Sequence, residues 1–195
     1  MKLYEWYLSF ERVTLDNPNI SGDDQDLFIL EGTLQSYFDG GALIPPDKWE
    51  GVVAWMHRIH PRVPLRPEDI PPTFTDDRGV HFYSQQVREL LKKYTNAIQY
   101  LPTPLLDICS GQLITTYYAA NHLIQHKCVK SVIDTKYGRE FRIDCSIESS
   151  PVFVLLNERG WKWVIVEQRV RNALLRAEAA EKWQFTPIRL TTVVR

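Results

Sequence analysis

At 195 residues, 44% hydrophobic and 24% charged, the chain is long enough to bury one full core and too apolar to be disordered. A formal net charge of −1 excludes an overall basic field for nucleic acid and an overall acidic field that would mimic it. Three cysteines, Cys109, Cys128 and Cys145, with no C-x-x-C pair, indicate neither a disulfide framework nor a zinc knuckle and read as free thiols.

The first predicted element is a strand over Lys2–Phe10. Glu5 and Glu11 break the apolar core that a signal peptide needs, and no later run approaches membrane-spanning length, so the expected location is the cytoplasm. Asp16-Asn-Pro-Asn19 and Ser21-Gly-Asp-Asp24 are turn chemistry, followed by a short buried strand at Leu27–Leu30. The acidic cluster Asp23, Asp24 and Asp26 is either a solvated turn or a patch that meets a partner. Asp47-Lys-Trp-Glu50 has the form of a capping box, and Trp49, Val52, Val53 and Met56 follow at helical spacing, which predicts a helix over Lys48–His60. That helix sits in a stiff, surface-running segment, Pro45–Pro72, which holds seven of the twelve prolines. Trp49, Trp55, Arg58, Arg62 and Arg66 are the residue types that anchor interfaces. For Trp55 and Ile59, packing of a second apolar side is the competing assignment.

A strand-helix-strand pattern occurs twice, at residues 80–102 and 161–188, about 83 residues apart. Val87, Leu90, Leu91 and Tyr94 in the first copy, and Val170, Ala173, Leu174 and Ala177 in the second, share the spacing of an amphipathic helix. Ser84 is a good N-cap and Glu167 a poorer one. Pro102 and Pro187 are expected to end the strands that begin at Ile98 and Trp183. Leu105–Cys109, Leu113–Tyr118, Phe141–Cys145 and Val152–Leu156 read as further strands. The predicted fold is α+β or mixed α/β: one compact domain over 1–195, with a variable part at 1–79 that carries the proline-rich insertion and a part at 80–195 that carries the repeat.

No catalytic constellation emerges. His122, His126 and Cys128 have a possible metal-ligand spacing if the histidines share a helical face, but no Glu follows His122, and a structural histidine pair is favoured. His57 and His60 flank Arg58 at a helix end and receive no catalytic role. G-x-S-x-G, Walker and G-x-G-x-x-G motifs are missing from the sequence, and spacing alone does not bring Asp134, Asp144 and Glu148 together. The expectation is a non-enzyme with no catalytic, cofactor or metal residues. The alternatives are a small cytoplasmic hydrolase or metal-dependent enzyme using His122 or His126, and a structural adaptor.

Four blocks carry a resemblance: Tyr117-Tyr-Ala-Ala-Asn-His-Leu-Ile-Gln-His-Lys-Cys-Val-Lys-Ser131, Pro151-Val-Phe-Val-Leu-Leu-Asn157, Val164-Ile-Val-Glu-Gln-Arg-Val-Arg-Asn-Ala-Leu175 and Trp183-Gln-Phe-Thr-Pro-Ile188. Over roughly residues 80–190 the chain resembles a bacterial polymorphic-toxin immunity family, the one numbered eleven. Glu167-Gln168 stands where that family usually has Ser-Glu, and Lys182-Trp183 where Gly-Leu is usual. The resemblance implies a cytoplasmic protein of bacterial competition that binds and neutralises a cognate secreted toxin, as a monomer or a 1:1 complex. It implies no catalytic residues, no cofactor, no nucleic acid and no membrane. The expected contact surface is the acidic loop Asp23, Asp24, Asp26 together with Trp49, Trp55, Arg58, Arg62 and Arg66.

Overall fold

A computed structural model describes residues 1–11, 13–16, 34, 36–57, 65–76, 79–148, 150–177 and 183–193. In chain order its strands are β1 (Leu3–Tyr7), β2 (Ser9–Phe10), β3 (Val13–Asp16), β4 (Val53–Met56), β5 (Thr73–Thr75), β6 (His81–Tyr83), β7 (Ile98–Asp107), β8 (Leu113–His122), β9 (Gln125–Thr135), β10 (Gly138–Ile143), β11 (Val152–Asn157), β12 (Lys162–Glu167) and β13 (Gln184–Thr192). Among the described residues the α-helices with both ends placed are α1 (Pro46–Trp49), α2 (Gln85–Leu91) and α3 (Gln168–Leu174); residues 36–40 are also helical, and Pro67–Asp69 form a 3-10 turn. No helix among the described residues is long and apolar enough to cross a membrane.

The α+β or mixed α/β expectation is overturned: the protein is mostly β, a closed six-stranded barrel and a seven-stranded, half-barrel sheet. The amphipathic stripes are present, but α2 and α3 stop after seven residues each, while β7, β8 and β9 run for ten, ten and eleven. Pro102 and Pro187 do not end their strands. Proline's fixed φ fits an extended backbone at the loss of one ladder donor, and β7 and β13 run through them. The helix expected over Lys48–His60 is also corrected. Only α1 forms; Gly51 then takes a left-handed φ of 83°, and β4 follows. Ser84 caps α2, its Oγ accepting from Val87 N at 3.4 Å, whereas Glu167 gives α3 no side-chain cap.

The chain divides into two compact units. The first comprises Met1–Leu8, Glu89–Ile98 and His122–Arg195; the second comprises Ser9–Arg88 and Gln99–Asn121. The first holds the barrel, in the cyclic order β1-β12-β11-β9-β10-β13, around Leu3, Phe141, Phe153, Leu155 and Ile165. The second holds the sheet, in the order β2-β5-β6-β8-β7-β4-β3, around Leu15, Ala54, Phe74, Phe82, Leu105 and Ala119.

Both units follow one design. In the sheet, the chain of β2 and β3 pairs parallel with β5 at its start and antiparallel with β4 at its end. In the barrel, β9 pairs parallel with β11 at its start and antiparallel with β10 at its end. The β5–β6 hairpin matches β11–β12, the parallel β4–β7 pair matches β10–β13, and α2 matches α3. Phe74 and Phe82 face each other across their hairpin where Phe153 and Ile165 do, and all four are fully buried. The guanidinium of Arg88 lies 4.4 Å from the Tyr118 ring and 5.9 Å from Tyr100; that of Arg171, 83 residues on, lies 4.7 Å from Tyr4 and 5.7 Å from Phe185. The leading strands are exchanged: β8 stands between β6 and β7, and β1 stands between β12 and β13.

Candidate functional site

Of the residues expected at the contact surface, Trp49, Trp55 and Arg66 fall within the described residues. Asp23, Asp24, Asp26, Arg58 and Arg62 lie outside the described residues, as do Leu27–Leu30, Ile59 and His60. Trp49 is buried, edge-on to Phe38, with its indole N–H donating to the Pro102 carbonyl at 3.1 Å. It fills the core of the second unit and presents no surface. Trp55 is half-buried on β4 between Thr14 and Leu106. Arg66 is exposed and held by Asp69 and Glu68.

His122 and His126 lie on successive strands, β8 and β9, so the shared helical face does not exist. Burial, then the nearby Lys162 charge, pushes His122 down to about 3. Burial also lowers His126, whose ring packs edge-on to Phe153. Cys128 is buried and its thiol is pushed up to about 12, first by burial and then by the neighbouring Cys145 thiol. Among the described residues no group of three or more His, Cys, Asp or Glu is arranged to hold a metal ion.

The distinctive cluster is at one mouth of the barrel. Strand alternation puts Leu3, Glu5 and Tyr7 on one face of β1. Leu3 belongs to the barrel core, so Glu5 is carried inward with it and is only 3% exposed. On β10, Arg139 shares a face with Phe141 and Ile143 and stands at the outer end of that buried stripe. Its Nη1 donates to both Glu5 oxygens, at 2.9 and 3.0 Å, and its Nε to Asp134 Oδ1 at 2.7 Å. The guanidinium carbon sits 5.2 Å from the Tyr7 ring centroid.

Burial raises the Glu5 carboxyl above its ordinary value even though Arg139 pulls it the other way. Burial works against the Arg139 charge too, but the bonds from Asp134 and Glu5 outweigh it and Arg139 is raised. The two ends differ because the Glu5 side chain is 4% exposed and that of Arg139 26%. With both carboxylate oxygens engaged by Arg139, Glu5 is a holder of the guanidinium rather than an acid or base aimed at a substrate.

A cavity of about 340 Å³ opens alongside, lined by Tyr137, Gly138, Arg139, Glu140, Pro187 and Arg189 among others. Only glycine fits at 138: φ is 137°, and a Cβ there would collide with the Pro187 carbonyl.

Because β9 and β11 run parallel, the β9–β10 and β11–β12 turns leave the barrel at the same end. β1 is antiparallel to β12, so Tyr7 is at that end as well. Tyr137 on the first turn is 83% exposed and Trp161 after the second is 67% exposed. Trp161 sits on a fixed base: its own N–H and that of Arg159 each donate to Asn157 Oδ1 at 3.0 Å.

Sequence patterns missed this site because its members are spread from residue 5 to residue 189. The one local signal was Glu5 in phase with Leu3 in an aromatic strand. No protein-family model matches this chain, and no curated protein matches it.

Proposed function

We propose that the protein is an immunity protein, which neutralises a cognate antibacterial toxin in the cytoplasm by stoichiometric binding, without catalysis or cofactor. The observation that carries this is the display of two large aromatic side chains, Tyr137 and Trp161, on turns at one end of a closed barrel, where Tyr137 also lines a cavity edged by Arg139 and Arg189. Exposed Trp, Tyr and Arg on a preorganised frame are what a tight protein interface uses. The motif blocks at 117–131, 151–157 and 164–175 lie largely in strands and α3, leaving these turns to vary with the partner.

The test is co-expression with the product of the neighbouring reading frame. Co-purification at 1:1 and survival of cells making that product are expected. Trp161→Ser and Tyr137→Ser should each weaken the complex by about 2 kcal/mol, roughly 30-fold in Kd, with melting of the free protein unchanged. Failure of the wild-type protein to retain or counteract the neighbour sinks the immunity function.

A further inference from the structure

The shared design of the two units makes their mouths comparable position by position. Matching β8 to β1 and β4 to β10 by register sets Ala119 against Glu5, Asn121 against Tyr7, and Val52 against Arg139. Gln99, one residue before Tyr100, corresponds to Gln184, one residue before Phe185, since both rings stand against the equivalent arginines.

In the second unit this mouth is filled by the chain itself. The connection from β3 to β4 replaces the short β9–β10 turn and sends Leu34, Phe38, Ile44 and Trp49 into the core. Gln99 grips its backbone twice: Oε1 accepts from Ile44 N at 2.8 Å and Nε2 donates to Ile44 O at 2.7 Å. Asn121 Nδ2 donates to Ala42 O at 2.6 Å. Ile44 is 1% exposed.

In the first unit no described segment fills the equivalent place. The turn between β9 and β10 is only Lys136 and Tyr137, and the Gln184 side chain is exposed and makes no hydrogen bond to a described residue, its backbone pairing with Tyr7; the cavity lined by Tyr137 and Arg139 lies at this end of the barrel, beside the mouth. We propose that this mouth is a dock for an extended segment of another protein, with Gln184 gripping that segment's backbone as Gln99 grips residue 44. A backbone grip of this kind is indifferent to sequence. Specificity falls to the mouth lining, where Glu5 and Arg139 replace Ala119 and Val52. A partner residue seated like Ile44 is therefore polar, with an acceptor facing Arg139. This deepens the immunity function and rests on it for the identity of the partner, whose inserted segment is a toxin loop.

Two arms test it on the full chain. A labelled synthetic peptide with the sequence of residues 40–49, carrying Asp in place of Ile44, is titrated onto the protein. Saturable binding that weakens about tenfold or more in Gln184→Ala, and that exceeds binding of the unaltered peptide, is expected. No binding, or equal binding by Gln184→Ala, overturns the dock. In the second arm the co-purified neighbour is challenged with Gln184→Ala. The free variant should melt like wild type, whereas Gln99→Ala should melt lower because its two backbone bonds already exist. The Gln184→Ala complex should dissociate about tenfold faster. Wild-type retention of the neighbour with no effect of Gln184→Ala overturns the dock and leaves immunity standing. Peptide binding without retention of the neighbour supports the dock and removes the toxin as its occupant.

Discussion

Leu174→Asp is expected to abolish stable folding at 37 °C. Leu174 is fully buried on α3, so the substitution removes a core side chain, which costs about 2–5 kcal/mol, and places a carboxylate where water is excluded, which costs several more. Total stability for such a chain is about 5–15 kcal/mol. Leu91 holds the equivalent place on α2 and is equally buried, so Leu91→Asp should be comparably severe. Circular dichroism melts of both variants are the measurement. A loss confined to one of them would mean that the two helices, alike in sequence and topology, do not carry equal weight.

The second large effect concerns the buried ion pair. Arg139→Met leaves Glu5 uncompensated and should cost about 3 kcal/mol, the low end for breaking a buried pair because Arg139 is partly exposed. Glu5→Leu combined with Arg139→Met should recover most of that, since the second unit is built with Ala119 and Val52 at the same places. The pH dependence has a defined sign. Glu5 is raised above its ordinary 4.5, so its contribution to stability is fully present below that value and is lost as pH rises through the folded value. Glu5→Gln cannot titrate. The stability of wild type minus that of Glu5→Gln should therefore fall as pH increases from about 4 and then level off. Denaturant titrations at a series of pH values check this, and a difference that grows with pH would show that Arg139, not burial, dominates at Glu5.

What could be read in the chain was local. The strand-helix-strand pattern inside each copy of the repeat, the Ser84 cap and the apolar run at Val152–Leu156 are visible because each depends on spacing within one short stretch of chain. Trp49, Val52, Val53 and Met56 satisfy helical spacing, but Val53-Ala-Trp-Met56 is also a short continuous apolar run, which suits a strand equally well, and periodicity alone does not decide between them. Gly51, poised for a left-handed turn, was the deciding residue. The fold class went wrong for a related reason. Pro102 and Pro187 read as strand ends in the sequence, which shortens β7 and β13 and makes the helices look like half of each repeat. The mouth was not legible at all. Glu5 and Arg139 meet across 134 positions, and only the barrel closure brings them together.

The exchange of leading strands sets the timing of folding during synthesis. Leu3–Tyr7 are made long before their partners in β12 and β13, which lie at 164–167 and 184–188. At about 5–20 residues per second, the ribosome takes roughly ten to forty seconds to supply them. Through that interval Leu-Tyr-Glu-Trp-Tyr waits as an unpaired aromatic strand, the kind of segment that chaperones hold and that self-associates when they do not. Slower translation of the codons between Tyr7 and Ile188 should therefore lower the soluble yield, which expression with synonymous slow codons in that stretch would measure.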